Sequence, residues 1–422
     1  MTIADGHRTD ARPVRTSTFA SLQVATYRLL FVSGTISFLA VQVQMVARGW
    51  LANDLSGSNT GLGGVYMAFG VPMLVATPFG GVLADRVSKR NILLVTQVAM
   101  TLSAAWIGFG VVFDFVEYWM LLVTSAIQAV SFSFLGPARM AMTSELVGRH
   151  LLPNAIVLGQ MSLNSARVFG PALAGIAIGV SSFGTAGVYF ASAVLSVVAF
   201  FAVMPLPSAR TVKVGPPRSP RREFMDGLAY VRGQREVRLL LVVSFLVVMV
   251  AFPYIAFLPR VATVLFDVGA SGYGALSAAS AVGALSVSLV IARRASPREA
   301  WVVQTMAGLA FGVALVLLAV APGFVLALLA VAGIGAAASA FQSMNNTLVL
   351  ALSEFEYHGR IQSLMMLSFS GFGMAALPLG GIADAVGLRE TFAGMGLVCL
   401  AAMGVYLLVR RRGGARLEPA LG

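Results

Sequence analysis

The sequence predicts an all-α membrane protein with twelve transmembrane helices, and three observations lead to that prediction. Of the 422 residues, 58% are hydrophobic and only 11% are charged, whereas soluble domains carry about 25% charged residues. The mean hydropathy is +0.86, so there are too few polar residues to cover a water-facing surface. Apolar stretches of about 20 residues, the length that crosses a bilayer, recur along the chain.

The apolar stretches fall into two groups of six, and this division sets the predicted domains. We expect a cytoplasmic N-terminal tail over 1–27, an N-terminal six-helix bundle over 28–205 and a C-terminal six-helix bundle over 239–409. The polar segment 206–238 is predicted as a cytoplasmic middle loop with an interfacial helix in its second half, and 410–422 as a cytoplasmic tail. The predicted spans are, in order, 28–52, 60–84, 91–113, 118–139, 153–180, 184–205, 239–258, 272–293, 300–321, 323–348, 360–384 and 391–409.

The basic residues fall mostly on one predicted side of the membrane. With the N-terminus inside, 25 of the 29 Lys and Arg residues lie in cytoplasmic tails and loops, which is the distribution that sets the orientation of membrane proteins. We therefore expect both termini in the cytoplasm and a location in the plasma (inner) membrane. The net charge of +12 then faces anionic membrane lipids, and nucleic acid is excluded as a partner. The four remaining basic residues are Arg48, Arg167, Arg260 and Arg389.

The two predicted bundles repeat each other weakly. Residues 83–90 (LADRVSKR) align with 291–298 (IARRASPR) at an offset of 208, and 170–173 (GPAL) align with 377–380 (LPLG) at an offset of 207. Two matches at nearly the same offset indicate parallel halves related by an axis normal to the membrane, as in many secondary transporters.

Residues 81–90 (GVLADRVSKR) resemble the loop after the second span of the major facilitator superfamily, whose pattern is G-x-L-A-D-R-x-G-R-R, although Ser88 replaces a Gly. Other stretches are similar to the branch that includes siderophore and macrolide exporters. They are 50–58 (WLANDLSGS), 136–139 (GPAR), 145–147 (ELV), 167–175 (RVFGPALAG), 226–232 (DGLAYVR) and 359–364 (GRIQSL). The resemblance covers essentially the whole chain and implies the major facilitator fold, with two parallel six-helix halves that work by alternating access.

The resemblance also implies a cytoplasmic gate. Asp85 would cap the N-terminal end of the eleventh span near Gly359 and pair with Arg139, and such contacts form only when the halves close on the inside. The further predicted gate residues are Arg86, Arg90, Glu145 and Arg360. The alternative is that this short loop only carries charge that sets the topology.

Polar side chains inside apolar spans form a candidate substrate pathway. Gln160, Asn164, Arg167 and Pro171 share one helix face, and a guanidinium at that depth needs a wet cavity or a buried partner. An alternative role for Arg167 is a structural clamp on a neighbouring helix. Similar stripes supply the other candidates, which ordinary interhelical hydrogen bonds would explain equally well. These candidates are Gln44, Arg48, Gln128, Gln342 and Asn346.

The most specific prediction is a monomeric secondary transporter that exports a small amphipathic compound, such as a drug or a siderophore, with proton antiport as the candidate coupling. An importer or a lysolipid flippase of the same fold is the alternative, and a non-transporting membrane receptor or scaffold is the alternative of another class. No enzymatic, metal-binding or cofactor motif stands out. No Asp or Glu falls at the centre of a predicted span, so the residue that would carry the proton is not apparent.

Overall fold

A computed structural model describes residues 19–180, 182–208, 220–294, 297–354 and 357–412, and these are helical with short connections and no strand. Most of the two predicted tails lies outside the described residues. Within the helices, only the backbone is described at residues 80–86, 149, 220–224, 292–294, 297–298, 359, 362–363, 366–369 and 412. The side chains of Asp85 and Arg86 are therefore outside the described part of the chain.

Five helices form the N-terminal half: α1 (Ala25–Ser56), α2 (Asn59–Arg86), α3 (Lys89–Val112), α4 (Tyr118–Gly179) and α5 (Gly184–Val203). The long helix α4 holds two predicted spans. Its backbone is non-helical at Gly148, where φ is 69°, a conformation that glycine adopts at little cost. We call residues 118–147 the first arm of α4 and residues 149–179 its second arm.

The C-terminal half follows the middle-loop helix α6 (Pro220–Gly233) and comprises α7 (Arg235–Val250), α8 (Tyr254–Arg260), α9 (Gly269–Arg294), α10 (Pro297–Ala319), α11 (Phe324–Ala351), α12 (His358–Val386) and α13 (Leu388–Arg412). The span predicted at 239–258 begins earlier, at Arg235, because the arginines of the first turn stay exposed while Val237 is buried. This span is interrupted between α7 and α8, where Pro253 has no N–H to continue the helix. It continues after α8 as a π-helical turn, Val261–Leu265.

The described helices account for the predicted membrane crossings. Ten of the described helical segments are long and apolar enough to cross a bilayer, and a shorter apolar segment, Ser370–Val386, belongs to α12. The second arm of α4 completes the set of twelve, and its exposed polar residues give it a weaker apolar pattern. The prediction of an all-α membrane protein with twelve transmembrane helices in two six-helix halves is confirmed.

Two helix pairs join the halves: α2 packs along α12, and the second arm of α4 packs along α9. We call the end of the bundle that contains the α1–α2 and α12–α13 turns the outer end, and the opposite end, where α1 begins, the inner end. Residues 57–58 and 387 mark the outer end.

Candidate functional site

A seam of backbone contacts closes α2 against α12 toward the outer end. A methyl group on Gly63 would overlap the carbonyl of Ala376, and one on Gly70 would lie 2.9 Å from Cα of Gly373. These separations are too short for any side chain at either glycine, so α2 and α12 touch backbone to backbone. The ring of Tyr66, which lies between the two glycines in sequence, meets Phe372 edge-on with centroids 5.4 Å apart.

A second seam joins the second arm of α4 to α9. The backbones of Gly175 and Gly274 are so close that a methyl group on either would overlap the other. Tyr273, beside Gly274, donates a hydrogen bond from its hydroxyl to the Val46 carbonyl at 3.2 Å and stacks on the Trp50 ring with centroids 5.8 Å apart. The hydroxyl and the ring therefore tie α9 to α1 across the two halves.

A carboxylate completes the closure at the outer end. Asp384, near the C-terminal end of α12, accepts hydrogen bonds from both residues that begin α2. Its Oδ1 accepts from the backbone N of Asn59 at 2.9 Å and from Asn59 Nδ2 at 2.8 Å, and its Oδ2 accepts from the backbone N of Thr60 at 2.8 Å and from Thr60 Oγ1 at 2.6 Å. The first backbone N–H groups of a helix have no partner within the helix, and the helix dipole favours an anion there. Asp384 is therefore an N-terminal cap for α2 that comes from the other half.

The second seam continues toward the inner end as a polar face. Counting in helical turns from Gly175, the predicted pathway residues Gln160, Asn164 and Arg167 lie on or near the face that meets α9. All three are exposed, whereas Gly175 is closed against Gly274. The polar face thus lies open on the inner side of the point where the two backbones touch.

The predicted pathway residues of α1 and of the first arm of α4 form one buried cluster. Arg48 Nη1 donates to Gln128 Oε1 at 2.7 Å, and Gln128 Nε2 donates to Gln44 Oε1 at 2.7 Å. The exposed fraction is 4% for Arg48 and 2% for each glutamine. Tyr66 and Tyr189 lie close enough to Arg48 to interact with it electrostatically. The structure therefore brings Gln44, Arg48 and Gln128 together, as a hydrogen-bonded set.

The predicted pathway residues of α11 are half-buried. Gln342 Oε1 and Asn346 Oδ1 are buried atoms without a hydrogen-bond partner among the described residues. Their neighbour Asn345 is fully buried, and within the same part of the chain neither of its side-chain polar atoms has a partner. The C-terminal half thus contains buried amide atoms of α11 that have no hydrogen-bond partner among the described residues.

The predicted gate residues that are described lie in separate contacts. Glu145 forms an ion pair with Lys89, with Oε1 and Nζ 2.7 Å apart. The guanidinium of Arg139 lies over the Phe38 ring at 5.0 Å from its centroid, and among the described residues its nitrogens have no hydrogen-bond partner. The pairing of Asp85 with Arg139 concerns a side chain outside the described residues.

The other two described gate residues are Arg90 and Arg360. Arg90 is half-buried, and its Nε has no hydrogen-bond partner among the described residues. Arg360 lies over the Tyr357 ring at 4.9 Å from its centroid and contacts Gly227 of α6. Tyr357 in turn stacks on Tyr230 of α6 with centroids 3.9 Å apart. Arg360 therefore helps to hold the middle-loop helix against the start of α12.

Several residues of these contacts were missed by reasoning from sequence. Lys89, Gln97, Tyr189, Asn345 and Asp384 were not among the candidates, although Gln97 and Asn345 stand out as amides within apolar spans. Gln97 Nε2 donates to Ser37 Oγ at 2.5 Å. Among the described residues, no group of three or more His, Cys, Asp or Glu could hold a metal ion.

Comparison with known proteins gives a family match over nearly the whole chain. A family model described as transmembrane secretion effector matches residues 16–418. The staphyloferrin A transporter of Staphylococcus aureus is 20% identical over 392 residues, which cover 93% of this chain and 98% of that protein. The multidrug efflux pump Tap of Mycolicibacterium fortuitum is 26% identical over 382 residues, which cover 85% of this chain and 89% of that protein.

A further relative matches only in part, and a solved structure matches in fold. The uncharacterized MFS-type transporter YfiS of Bacillus subtilis is 29% identical over 175 residues, which cover 39% of this chain and 40% of that protein. The crystal structure of the nucleoside transporter NupG superposes with a TM-score of 0.67 at 12% identity, covering 92% of this chain and 98% of that one.

Proposed function

Because the chain belongs to the transmembrane secretion effector family of the major facilitator superfamily, we propose that this membrane transporter exports small amphipathic compounds, such as drugs or siderophores, by alternating access. The observation that carries the proposal is the closure of the two halves at the outer end by two glycine seams and the Asp384 cap. A transporter that opens one end at a time needs contacts between its halves that can be made and broken as a unit.

The inner end would supply the opposing set of contacts. In the proposed cycle, Asp85 caps the start of α12 and meets Arg139 when the halves close on the inside, while the Asp384 cap on α2 is broken. Each of the two helices would then lend an acid to the N-terminal end of the other, at opposite ends of the bundle. The ion pair between Lys89 and Glu145 ties the start of α3 to α4 and would keep the N-terminal half rigid as it moves.

The polar face of the second arm of α4 would form one wall of the substrate pathway. Gln160, Asn164 and Arg167 are exposed on or near the face that meets α9 toward the outer end. Charged and polar groups inside a membrane bundle usually face a cavity or a partner rather than lipid. The buried cluster around Arg48 and the amides of α11, Gln342 and Asn346, would complete the pathway from the other helices.

Export is favoured over the alternatives by the relatives. The family description names secretion and one full-length relative is named an efflux pump, so we propose efflux, with proton antiport as the coupling. Importer and lysolipid flippase activities of the same fold remain the competing functions. We propose a monomer in the plasma (inner) membrane with both termini in the cytoplasm, and with its basic loops on anionic lipid.

Flux measured in two orientations tests the proposal. Inverted vesicles and whole cells would be loaded with amphipathic dyes and iron–siderophore complexes, with and without an imposed pH gradient. We expect uptake into inverted vesicles, extrusion from cells, and stimulation of both by the gradient. Gly175→Leu, whose side chain would collide with α9, is the inactive control.

Two outcomes would contradict export. Uptake into whole cells without extrusion would show an importer. The absence of flux for every compound, with a folded protein in the membrane, would favour the receptor class.

A further inference from the structure

The cluster of Gln44, Arg48 and Gln128 has a fixed hydrogen-bond direction. An arginine side chain can only donate hydrogen bonds, so Gln128 must turn its oxygen to Arg48, as the 2.7 Å contact shows. The amide nitrogen of Gln128 then faces Gln44 and donates to its oxygen at 2.7 Å. The amide nitrogen of Gln44 is left without a hydrogen-bond partner among the described residues.

The unused polar atoms of this cluster are all donors. Arg48 Nε, Arg48 Nη2 and Gln44 Nε2 are buried and have no hydrogen-bond partner among the described residues. Both acceptor oxygens of the glutamines are already engaged. The hydroxyl of Tyr189, which lies beside Arg48 and interacts with its guanidinium, is neutral and brings no negative charge to the cluster. A ligand that satisfies these groups must bring acceptors.

The cluster also carries an uncompensated charge. The groups found against the Arg48 guanidinium among the described residues are neutral: the amide of Gln128 and the hydroxyl of Tyr189. Burying a cation without an anion is costly in a medium of low dielectric constant. Both its charge and its donors therefore favour an anionic group over a neutral one.

The position of the cluster places it beside the surface where the halves meet. Gly49, which follows Arg48, lies against the hydroxyl groups of Tyr66 and Tyr273, and Tyr273 comes from the other half. The carbonyl of Val46, between Gln44 and Arg48, accepts the hydrogen bond from Tyr273 across the halves. Separation of the halves at the outer end would break these contacts next to Arg48.

We propose that Arg48, Gln44 and Gln128 form a subsite that binds a carboxylate group of the transported compound. The proposal rests on the transport function argued above, and it narrows the substrate class to anionic amphiphiles. Arg48 Nε and Nη2 can hold the two oxygens of a carboxylate as a planar fork, and Gln44 Nε2 can donate to the same group.

The test uses the purified full-length protein and a matched pair of probes, benzoate and benzamide, which differ in charge but hardly in shape. Thermal unfolding is followed at constant ionic strength while each probe is titrated, because a ligand that binds only the folded state raises the midpoint. We expect benzoate, and citrate as a second carboxylate, to raise the midpoint of the wild type, and benzamide to have no effect. In Arg48→Gln, the benzoate concentration that gives the same rise in the unfolding midpoint should be higher by about tenfold or more.

Gln128→Glu is the second variant, and it keeps the size of the side chain. It places a carboxylate of the protein itself against Arg48, so we expect a higher unfolding midpoint than the wild type and no response to benzoate. Asn91→Asp, which adds the same charge near the inner end of α3, is the matched control and should respond as the wild type does.

Two results would overturn the subsite: equal responses to benzoate and benzamide, or a full benzoate response in both Arg48→Gln and Gln128→Glu. Flux separates this failure from a failure of the transport function. Carboxylate binding without flux of any compound would support the subsite and refute the transport function. If both variants transport a carboxylate compound as fast as the wild type does, the transport function is supported and the subsite is refuted.

Discussion

The strongest mechanistic prediction concerns the cap that Asp384 places on α2. Changing Asp384 to Ala removes four hydrogen bonds between the halves, two of them from backbone N–H groups at the start of α2. Loss of an N-terminal cap costs about 0.5–2 kcal/mol. Because the carboxylate is exposed, water replaces part of what is lost, and we take about 1–2 kcal/mol for the whole contact. That energy lowers the ratio of outer-closed to outer-open molecules by about 5- to 30-fold.

Distances between spin labels would measure this ratio directly. Phe113, which follows α3, and Val320, which follows α10, are exposed at the outer end on opposite halves. Labels at these two positions should show a larger population at long distance in Asp384→Ala than in the otherwise wild-type protein. Asp54→Asn removes a charge from an exposed residue at the same end and serves as the control. Identical distance distributions in Asp384→Ala and the wild type would refute the argument that the cap holds the outer end closed.

Three further predictions follow from contacts described above. Gly63→Ala should shift the same label distances toward the outer-open state, because its methyl group would overlap the Ala376 carbonyl, whereas Gly136→Ala adds a methyl group in open space; equal behaviour of the two variants would contradict the seam. Glu145→Gln should lower the free energy of unfolding by about 1–2 kcal/mol, because Lys89 is buried and Glu145 is partly buried. The double variant Lys89→Met with Glu145→Gln should lose less stability than the sum of the two single variants. Strict additivity in a denaturation series would show that the pair is not coupled. Arg167→Gln should reduce flux at least about tenfold while leaving the unfolding midpoint near that of the wild type; an unchanged flux with a large loss of stability would identify Arg167 as a structural clamp instead.

Hydropathy was sufficient to predict the fold, because the length of a membrane span is fixed by the bilayer and is read directly from apolar stretches. Hydropathy predicted the bounds of a span less well where polar and apolar residues mix at the start of a helix. Arg235 extends α7 below the predicted span because its charge stays exposed while Val237 packs inside.

The site was only partly predictable, for a different reason. Arg48 and Gln128 were candidates because each is polar within an apolar stretch, but their hydrogen bond joins positions 80 residues apart, which no local pattern can indicate. Asp384 lies at the end of a span, where an acid is unremarkable by sequence. Its role appears only when α12 is placed against the start of α2, so that the carboxylate reaches Asn59 and Thr60.

The glycine seams have a consequence for how tightly the outer end closes. Where Gly175 meets Gly274 and Gly63 meets Ala376, backbone lies directly on backbone, and no side chain has to find a new rotamer when the surfaces part or rejoin. Backbone-to-backbone packing of this kind would leave little room for a compound to pass between the halves while the outer end is closed.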